Sequence, residues 1–159
     1  GTSVSLIPEH HTINLAKAAA CLDHVSNGRF LFGIGAGWNA EEMANHGVAF
    51  KDRWKITRER VLAMREIWTK EEAEFHGQFV DFDPIWCWPK PAQAGGPPVL
   101  MGAGSKWTAK RVAEYCDGWF PIDGPYDLSA GIEAIRTEVD KIGRSMDERD
   151  YLRWNIWRE

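Results

Sequence analysis

Short apolar runs and amphipathic segments alternate along almost the whole chain, and this rhythm limits the folds open to it. Thr2 to Ile7 is β-branched and apolar and stops at Pro8, the pattern of a strand. Thr12 stands where a helix cap belongs, ahead of a segment from Ile13 to about Val25 in which Leu15, Ala18, Leu22 and Val25 share one face. Asn27-Gly28 supplies a left-handed stop. Arg29 to Ile34 reads as a buried strand, followed by a Gly-rich turn and a short helix near Asn39 to Asn45. A long helix runs from about Arg53 to Thr69, with Trp54, Val61, Met64 and Trp68 on one face.

The middle of the chain breaks the rhythm. Phe75 to Asp83 reads as a hairpin or edge strand, and Pro84 to Pro98 holds five prolines in a long loop. Such a loop serves either as a lid or as a structural excursion. The alternation then resumes with a strand at Val99 to Met101, a Gly-rich turn, a helix capped by Ser105 and running to Tyr115, and a strand at Asp117 to Pro121. Asp127 caps a helix carrying Leu128, Ile132, Ile135, Val139 and Ile142 at helical spacing, stopped by Gly143. Leu152, Trp154 and Ile156 alternate as a last strand.

Five strands with four crossovers argue for an α/β fold with a parallel sheet. An open doubly wound sheet and part of a (β/α)8 barrel both fit. A complete barrel takes ~250 residues and the chain has 159, so the barrel reading requires a fragment or a trimmed variant. The chain opens directly into a strand-like run with no initiating Met, as one whose upstream portion is missing. No internal boundary interrupts it, so residues 1–159 read as a single incomplete domain with residues 70–98 as an excursion from it.

Composition removes several classes. The net charge of -4 comes with scattered Lys and Arg, so no basic stripe points to nucleic acid. No apolar run is long enough to span a bilayer, and the N-terminus lacks the basic region of a signal peptide. Cys21, Cys87 and Cys116 are far apart and odd in number, which supports neither a zinc site nor a disulfide framework and fits reduced thiols in the cytoplasm. No metal-ligand spacing occurs. Nine tryptophans are many for this length; Trp38, Trp86, Trp88 and Trp119 lie near the segments of interest, where each serves either the core or a planar ligand.

Two turns carry the functional signal. Gly33-Ile34-Gly35-Ala36-Gly37-Trp38-Asn39 and Gly102-Ala103-Gly104-Ser105 each follow a strand and precede a helix. Glycine there lets backbone approach a ligand, and the helix start offers unpaired N–H donors, so the amides and hydroxyl of the second turn suit a phosphate. Strand C-termini are where barrels and open α/β sheets build their sites. Glycine also serves tight turns for geometry alone, and that reading stays open for each. A dinucleotide-binding fingerprint fits poorly, because its sixth position holds Trp38 and Asp52 lies in a charged segment. His10 and His11 follow the first strand at the ligand-facing end, and either imidazole suits acid–base work.

At these segments the sequence resembles the luciferase-like monooxygenase family, in particular its F420-dependent branch. The matching marks are GTSV with Leu6-Ile7-Pro8 and His11, the run Leu15 to Arg29, FLFGIGAGWNAEE from Phe30 to Glu42, PKPAQ with PPVLMGAGS from Pro89 to Ser105, and Asp117-Gly118-Trp119. The resemblance implies a partial (β/α)8 barrel of the bacterial-luciferase type, about strands 3 to 7. It implies a cis peptide at Ser3–Val4 with both residues close to the cofactor ring, Gly35, Ala36, Gly37 and Asn39 against the cofactor, and the cofactor phosphate on Gly102, Ala103, Gly104 and Ser105. The expected cofactor is coenzyme F420, with FMN as the alternative, and His11 is the candidate catalytic residue. The expected activity is oxidation, reduction or oxygenation of a small organic substrate by a homo-oligomer. Strands that in relatives bear an acid/base are missing here, which leaves a non-catalytic flavin-binding or oligomerising protein on a degenerate barrel as the alternative.

Overall fold

The computed structural model describes residues 1–121 and 127–145. The expected strand over Leu152, Trp154 and Ile156 lies outside the described residues. The chain packs as two compact units, Gly1–Pro97 and Pro98–Glu159.

In the first unit, β1 (Ser5–Leu6) runs parallel to β2 (Phe32–Gly35), with Ser5 opposite Ile34 and Leu6 opposite Gly35. The strand expected from Thr2 to Ile7 is this short because Ile7–Glu9 turns into a 3-10 helix with Pro8 in its first turn. Proline has no N–H to extend a ladder. Upstream, Thr2 keeps contact with the second strand, its N–H donating to the Leu31 carbonyl at 3.2 Å and its hydroxyl to the Gly33 carbonyl at 2.8 Å.

Helix α1 (Thr12–Val25) follows, with His11 at its N-cap and no side-chain cap, so Thr12 is its first residue rather than its cap. Its buried face also differs from the expected one. Thr12, Ala16, Ala19, Ala20 and Asp23 face inward, whereas Leu22 and Val25 are 50% and 86% exposed. Small side chains allow a close approach to α3 (Arg53–Thr69), whose Trp68 reaches the Ala16 carbonyl with its indole N–H at 2.9 Å. Trp68 also meets Phe32 edge-on at 6.2 Å between ring centres. Helix α3 has the expected bounds, and Val61, Met64, Ile67 and Trp68 are its buried stripe. Between α1 and α3, Asn27 and Gly28 take φ of 54° and 72° to end α1, and the short α2 (Ala40–Asn45) begins at Asn39.

Residues 72–86 form an antiparallel hairpin, β3 (Glu72–His76) and β4 (Asp81–Trp86), longer than expected. Pro84, expected in the following loop, sits at an exposed position of β4, where a missing N–H is tolerated. Glu59 of α3 holds the hairpin turn, accepting from the Phe79 and Val80 N–H groups at 2.5 and 2.6 Å. The Pro-rich segment that follows is strapped down. The Lys90 ammonium donates to the Ile67 carbonyl at 2.6 Å and to that of Lys70, satisfying the C-terminal end of α3. Gln93 binds the fully buried Asp23 carboxylate twice, by its N–H at 2.8 Å and its side-chain amide at 2.7 Å, and also reaches the Phe30 carbonyl at 3.0 Å. Lys90 and Gln93 thus fasten this segment to α3 and α1.

In the second unit, β5 (Val99–Gly102) pairs in parallel with β6 (Gly118–Phe120), Met101 opposite Trp119. Between them runs α4 (Thr108–Tyr115), and after them α5 (Leu128–Lys141). Ile135 and Val139 form the buried stripe of α5, while Leu128 and Ile142 are exposed. Asp117 braces the joint between strands, its carboxylate accepting from the Val99 N–H at 2.8 Å and its N–H donating to the Val99 carbonyl at 2.7 Å. Arg144 donates to the carbonyls of Ala113 and Cys116 at 2.9 and 2.7 Å and to Asp117 at 3.2 Å, closing the C-terminal end of α4. Among the described residues no helix is long and apolar enough to cross a membrane.

Two outcomes follow from this packing. Gln93→Ala strips hydrogen bonds from a buried carboxylate, so it lowers stability by about 1–3 kcal/mol, read as a lower urea midpoint at unchanged slope. On the hairpin, His76 lies 2.7 Å from Asp81 and 3.6 Å from Glu74. The hydrogen bond to Asp81 raises its pKa above the ordinary 6.5, with lesser help from Glu74. A raised folded pKa means that the stabilising charge is fully present below 6.5 and is lost as pH rises through the folded value. Amide protection at the hairpin turn therefore falls over that window, and Asp81→Asn returns the His76 NMR titration toward 6.5.

Candidate functional site

The first Gly-rich turn is built by close approach of backbone to backbone. A Cβ on Gly33 would overlap the Thr2 carbonyl oxygen, and one on Gly35 would stand 2.8 Å from Val4 Cγ2. Glycine at both positions lets the Thr2–Val4 segment lie against β2. The Ser3–Val4 peptide is cis, as the resemblance implies. Ser3 is exposed and Val4 half-buried against Gly35. Ala36 is buried, and Gly37 takes φ of 75° with the Met43 methyl 2.5 Å from where a Cβ would be. Asn39 is committed to α2, its side-chain oxygen accepting from the Glu41 and Glu42 N–H groups at 3.0 and 3.2 Å. Trp38, between these two anchored residues, is 84% exposed at the C-terminal end of β2.

His11 is exposed at the start of α1. The turn before it is held by Arg60 of α3, whose guanidinium donates to the Ile7 carbonyl at 2.9 Å and to that of His10. Burial pushes the Arg60 pKa down from its ordinary value. Glu9, which the sequence reading passed over, places a buried carboxylate oxygen near Gly37.

The second turn is more open. Gly102 and Ala103 are buried, and the Ala103 carbonyl accepts the Trp119 indole N–H at 2.7 Å. Gly104 and Ser105 are exposed. Ser105 does not cap α4 directly, as its pattern implied. Its N–H donates to the Thr108 hydroxyl at 2.9 Å and its own oxygen accepts from the Trp107 N–H at 3.3 Å, so a turn intervenes and α4 begins at Thr108. The Ser105 amide is thus engaged, while its hydroxyl hydrogen, shared at most with Thr108 at 3.3 Å, remains the group to offer a ligand.

Beside this turn lies a cavity of about 450 Å³, lined by Gly104, Ser105, Lys106, Thr108, Ala109, Trp119, Asp127, Ala130, Gly131, Ala134 and Ile135. Ser105, Lys106 and Thr108 line the turn side, the Lys106 ammonium lying 5.2 Å over the Trp107 ring, and Trp119 with the small residues of α5 forms an apolar wall. That donor set fits a phosphate and its ester. Of the expected residues, the structure brings Gly104 and Ser105 to this cavity, sets Gly35, Ala36 and Gly37 at the C-terminal end of β2, and places Ser3 and Val4 just ahead of β1, with Val4 against Gly35. Lys106 and the first turns of α5 join the cavity's lining unpredicted, and Trp119, read in the sequence as serving either the core or a planar ligand, forms its wall. Among the described residues no group of three or more His, Cys, Asp or Glu could hold a metal ion.

Gly33 offers the sharpest check on the first turn. Gly33→Ala forces a methyl against a backbone carbonyl and destabilises the protein by about 1–3 kcal/mol, the range for overpacking, measured by urea unfolding.

Comparison with known proteins agrees with this architecture. The model of the luciferase-like monooxygenase family matches residues 1–152. An uncharacterized protein of Mycobacterium tuberculosis is 42% identical over 143 residues, covering 90% of this chain and 51% of its own length. An F420-dependent glucose-6-phosphate dehydrogenase of Nakamurella multipartita is 30% identical over 160 residues, covering 96% of this chain and 46% of its own. In fold, the chain matches the oxygenating constituent of 3,6-diketocamphane monooxygenase from Pseudomonas putida, solved in complex with FMN. The TM-score is 0.75 at 20% identity, over 93% of this chain and 45% of that one. The chain thus spans about half the length of these proteins, and its α/β fold is part of a (β/α)8 barrel rather than an open doubly wound sheet. The chain belongs to the luciferase-like monooxygenase family.

Proposed function

We propose that this protein is an F420-dependent oxidoreductase acting on a small organic substrate, with FMN as the alternative cofactor. The carrying observation is the Gly104–Ser105 turn beside a preformed cavity that Ser105, Thr108 and Lys106 line. An anionic phosphate ester finds there a cation, a hydroxyl donor and a helix start, all favourable to negative charge. An F420-dependent relative that aligns along 96% of this chain supports the deazaflavin, and an FMNH2-dependent relative at 29% identity over 80% of it keeps FMN as the alternative.

The assignment distributes roles among this chain's residues. Ser3, Val4, Gly35, Ala36 and Gly37 supply a close-packed surface for a planar ring, and Asn39 holds the α2 end of that turn. Gly104 and Ser105, with Lys106, hold the phosphate, and the buried Gly102 and Ala103 support that turn from below. His11 is the proton-transfer group, positioned by the Arg60 clamp on the turn before it. When bound, the cofactor supplies the hydride or oxygen chemistry, and the protein orients it and shields it from water. We assign no substrate beyond that class, and we expect a cytoplasmic homo-oligomer.

Fluorescence titration with F420 and with FMN tests the reading. Saturable binding of F420 at micromolar level is expected, weakened about tenfold, 1.4 kcal/mol, by Lys106→Ala. A folded protein that binds neither cofactor overturns it. Equal losses for a phosphate-free deazaflavin riboside would remove Lys106 from the phosphate site.

A further inference from the structure

Beside Gly37 stand a carboxylate oxygen with no donor and an indole with no cover. Glu9 is half-buried, and its Oε1 atom is buried without a hydrogen-bond partner among the described residues. That oxygen lies 3.5 Å from where a Gly37 Cβ would be, and the Met43 methyl and Leu6 Cδ1 border the same position. These neighbours are apolar and donate nothing, so the buried oxygen is a cost that an apolar side chain of the same size would avoid. The turn that carries it is held independently, because Arg60 donates to the Ile7 and His10 carbonyls on either side of Glu9. Trp38 follows Gly37 and is 84% exposed. Its backbone is fixed from both sides, by the φ of 75° at Gly37 and by the Asn39 cap on α2. A large apolar ring is therefore displayed to solvent next to an acceptor that lacks a donor.

Resting on the function proposed above, which brings the reacting molecules to the end of β1 and β2, we infer that Glu9 and Trp38 select the substrate and that it is a neutral alcohol with an apolar body. Its hydroxyl donates to the Glu9 carboxylate, and its carbon skeleton packs on the Trp38 indole. The count of donors decides among ligands. A hydroxyl brings one donor to the one oxygen left without a partner, whereas an ammonium brings three. Stripping an ammonium of water beside Met43 and Leu6 leaves the other two unanswered, which is unfavourable. A carboxylate or phosphate meets like charge at Glu9 and is rejected. An ether of the same shape leaves the oxygen as it was, and sites built to bond a hydroxyl discriminate strongly against the analogue that lacks it.

The test titrates cyclohexanol, methoxycyclohexane, cyclohexylamine and cyclohexanecarboxylate into the full-length protein, with and without F420, and follows each probe by saturation-transfer NMR. Cyclohexanol should bind about tenfold more tightly than methoxycyclohexane, the effect of one hydrogen bond to a charged acceptor, and more tightly than either ion. Glu9→Gln keeps an acceptor oxygen and should keep that preference. Glu9→Leu should abolish it while raising the urea midpoint, because it deletes a buried polar atom that has no partner. Trp38→Ala should weaken alcohol and ether alike, by about fivefold, as expected for loss of an aromatic contact. Equal binding of alcohol and ether by the wild type overturns the inference, as does binding of none of the four. Tighter binding of the amine or the carboxylate removes the alcohol. A lower urea midpoint for Glu9→Leu makes Glu9 a structural brace and overturns its role in selection. F420 binding is scored separately by the cofactor's own fluorescence. An alcohol preference without F420 binding strikes the cofactor assignment alone, and F420 binding without an alcohol preference strikes this inference alone.

Discussion

The Thr2 carbonyl oxygen occupies the space that a side chain at position 33 would need, and the packing of the chain's first residues on β2 is arranged around that contact. Because β2 is bare of side chains at Gly33 and Gly35, the Thr2–Val4 segment lies directly on it, fixed by the Thr2 hydroxyl on the Gly33 carbonyl. Val4 then packs on Gly35, and Gly37 turns the chain over Met43 toward α2. Each glycine of this run excludes a Cβ for a contact within the protein. The first turn's glycines thus serve close contacts within the protein, whose own atoms fill the space they spare.

The motifs that carried the family resemblance divide in the same way. PKPAQ and the Asp117-Gly118-Trp119 run look like signatures of a site, yet Lys90, Gln93 and Asp117 serve structure. Lys90 and, in the other unit, Arg144 each place a cation on the bare carbonyls at a helix C-terminus, where the peptide dipoles favour positive charge. Gln93 and Asp117 satisfy groups that burial would otherwise leave unpaired. Only Trp119 of these motifs reaches the cavity, as the floor on which α5 packs.

Elements dictated by local chemistry were legible in the sequence. The bounds of α3 follow from a stripe of large apolar residues, the α1 stop from Asn27-Gly28, and the starts of α2 and α5 from Asn39 and Asp127, whose side chains accept from their own helices. What could not be read locally depended on distant partners. The buried face of α1 follows alanines and an aspartate rather than leucines, because Gln93, 70 residues away, supplies the partner that makes burying Asp23 tolerable. A periodicity argument ranks Leu22 and Val25 above Asp23 and so rotates the helix wrongly. Pro84 was assigned to a loop since proline breaks ladders, but an exposed hairpin strand has positions where no N–H is needed.

The candidate site was half legible for the same reason. Glycine-rich turns at strand ends are visible as local patterns, and both turns lie where the sequence put them. The cavity beside the second turn is not a local pattern: it exists because Gly131 of one helix meets Trp119 of a strand and because Ala130 and Ala134 project nothing into the space beside the turn. Small residues on α5 weaken its apparent amphipathicity and leave Leu128 and Ile142 to suggest a longer apolar stripe than the helix has. An alanine that faces a cavity and one that faces solvent look alike in a sequence. Recognising a cavity wall made of small residues therefore requires knowing what stands opposite them, and here that is a tryptophan pinned by its own N–H.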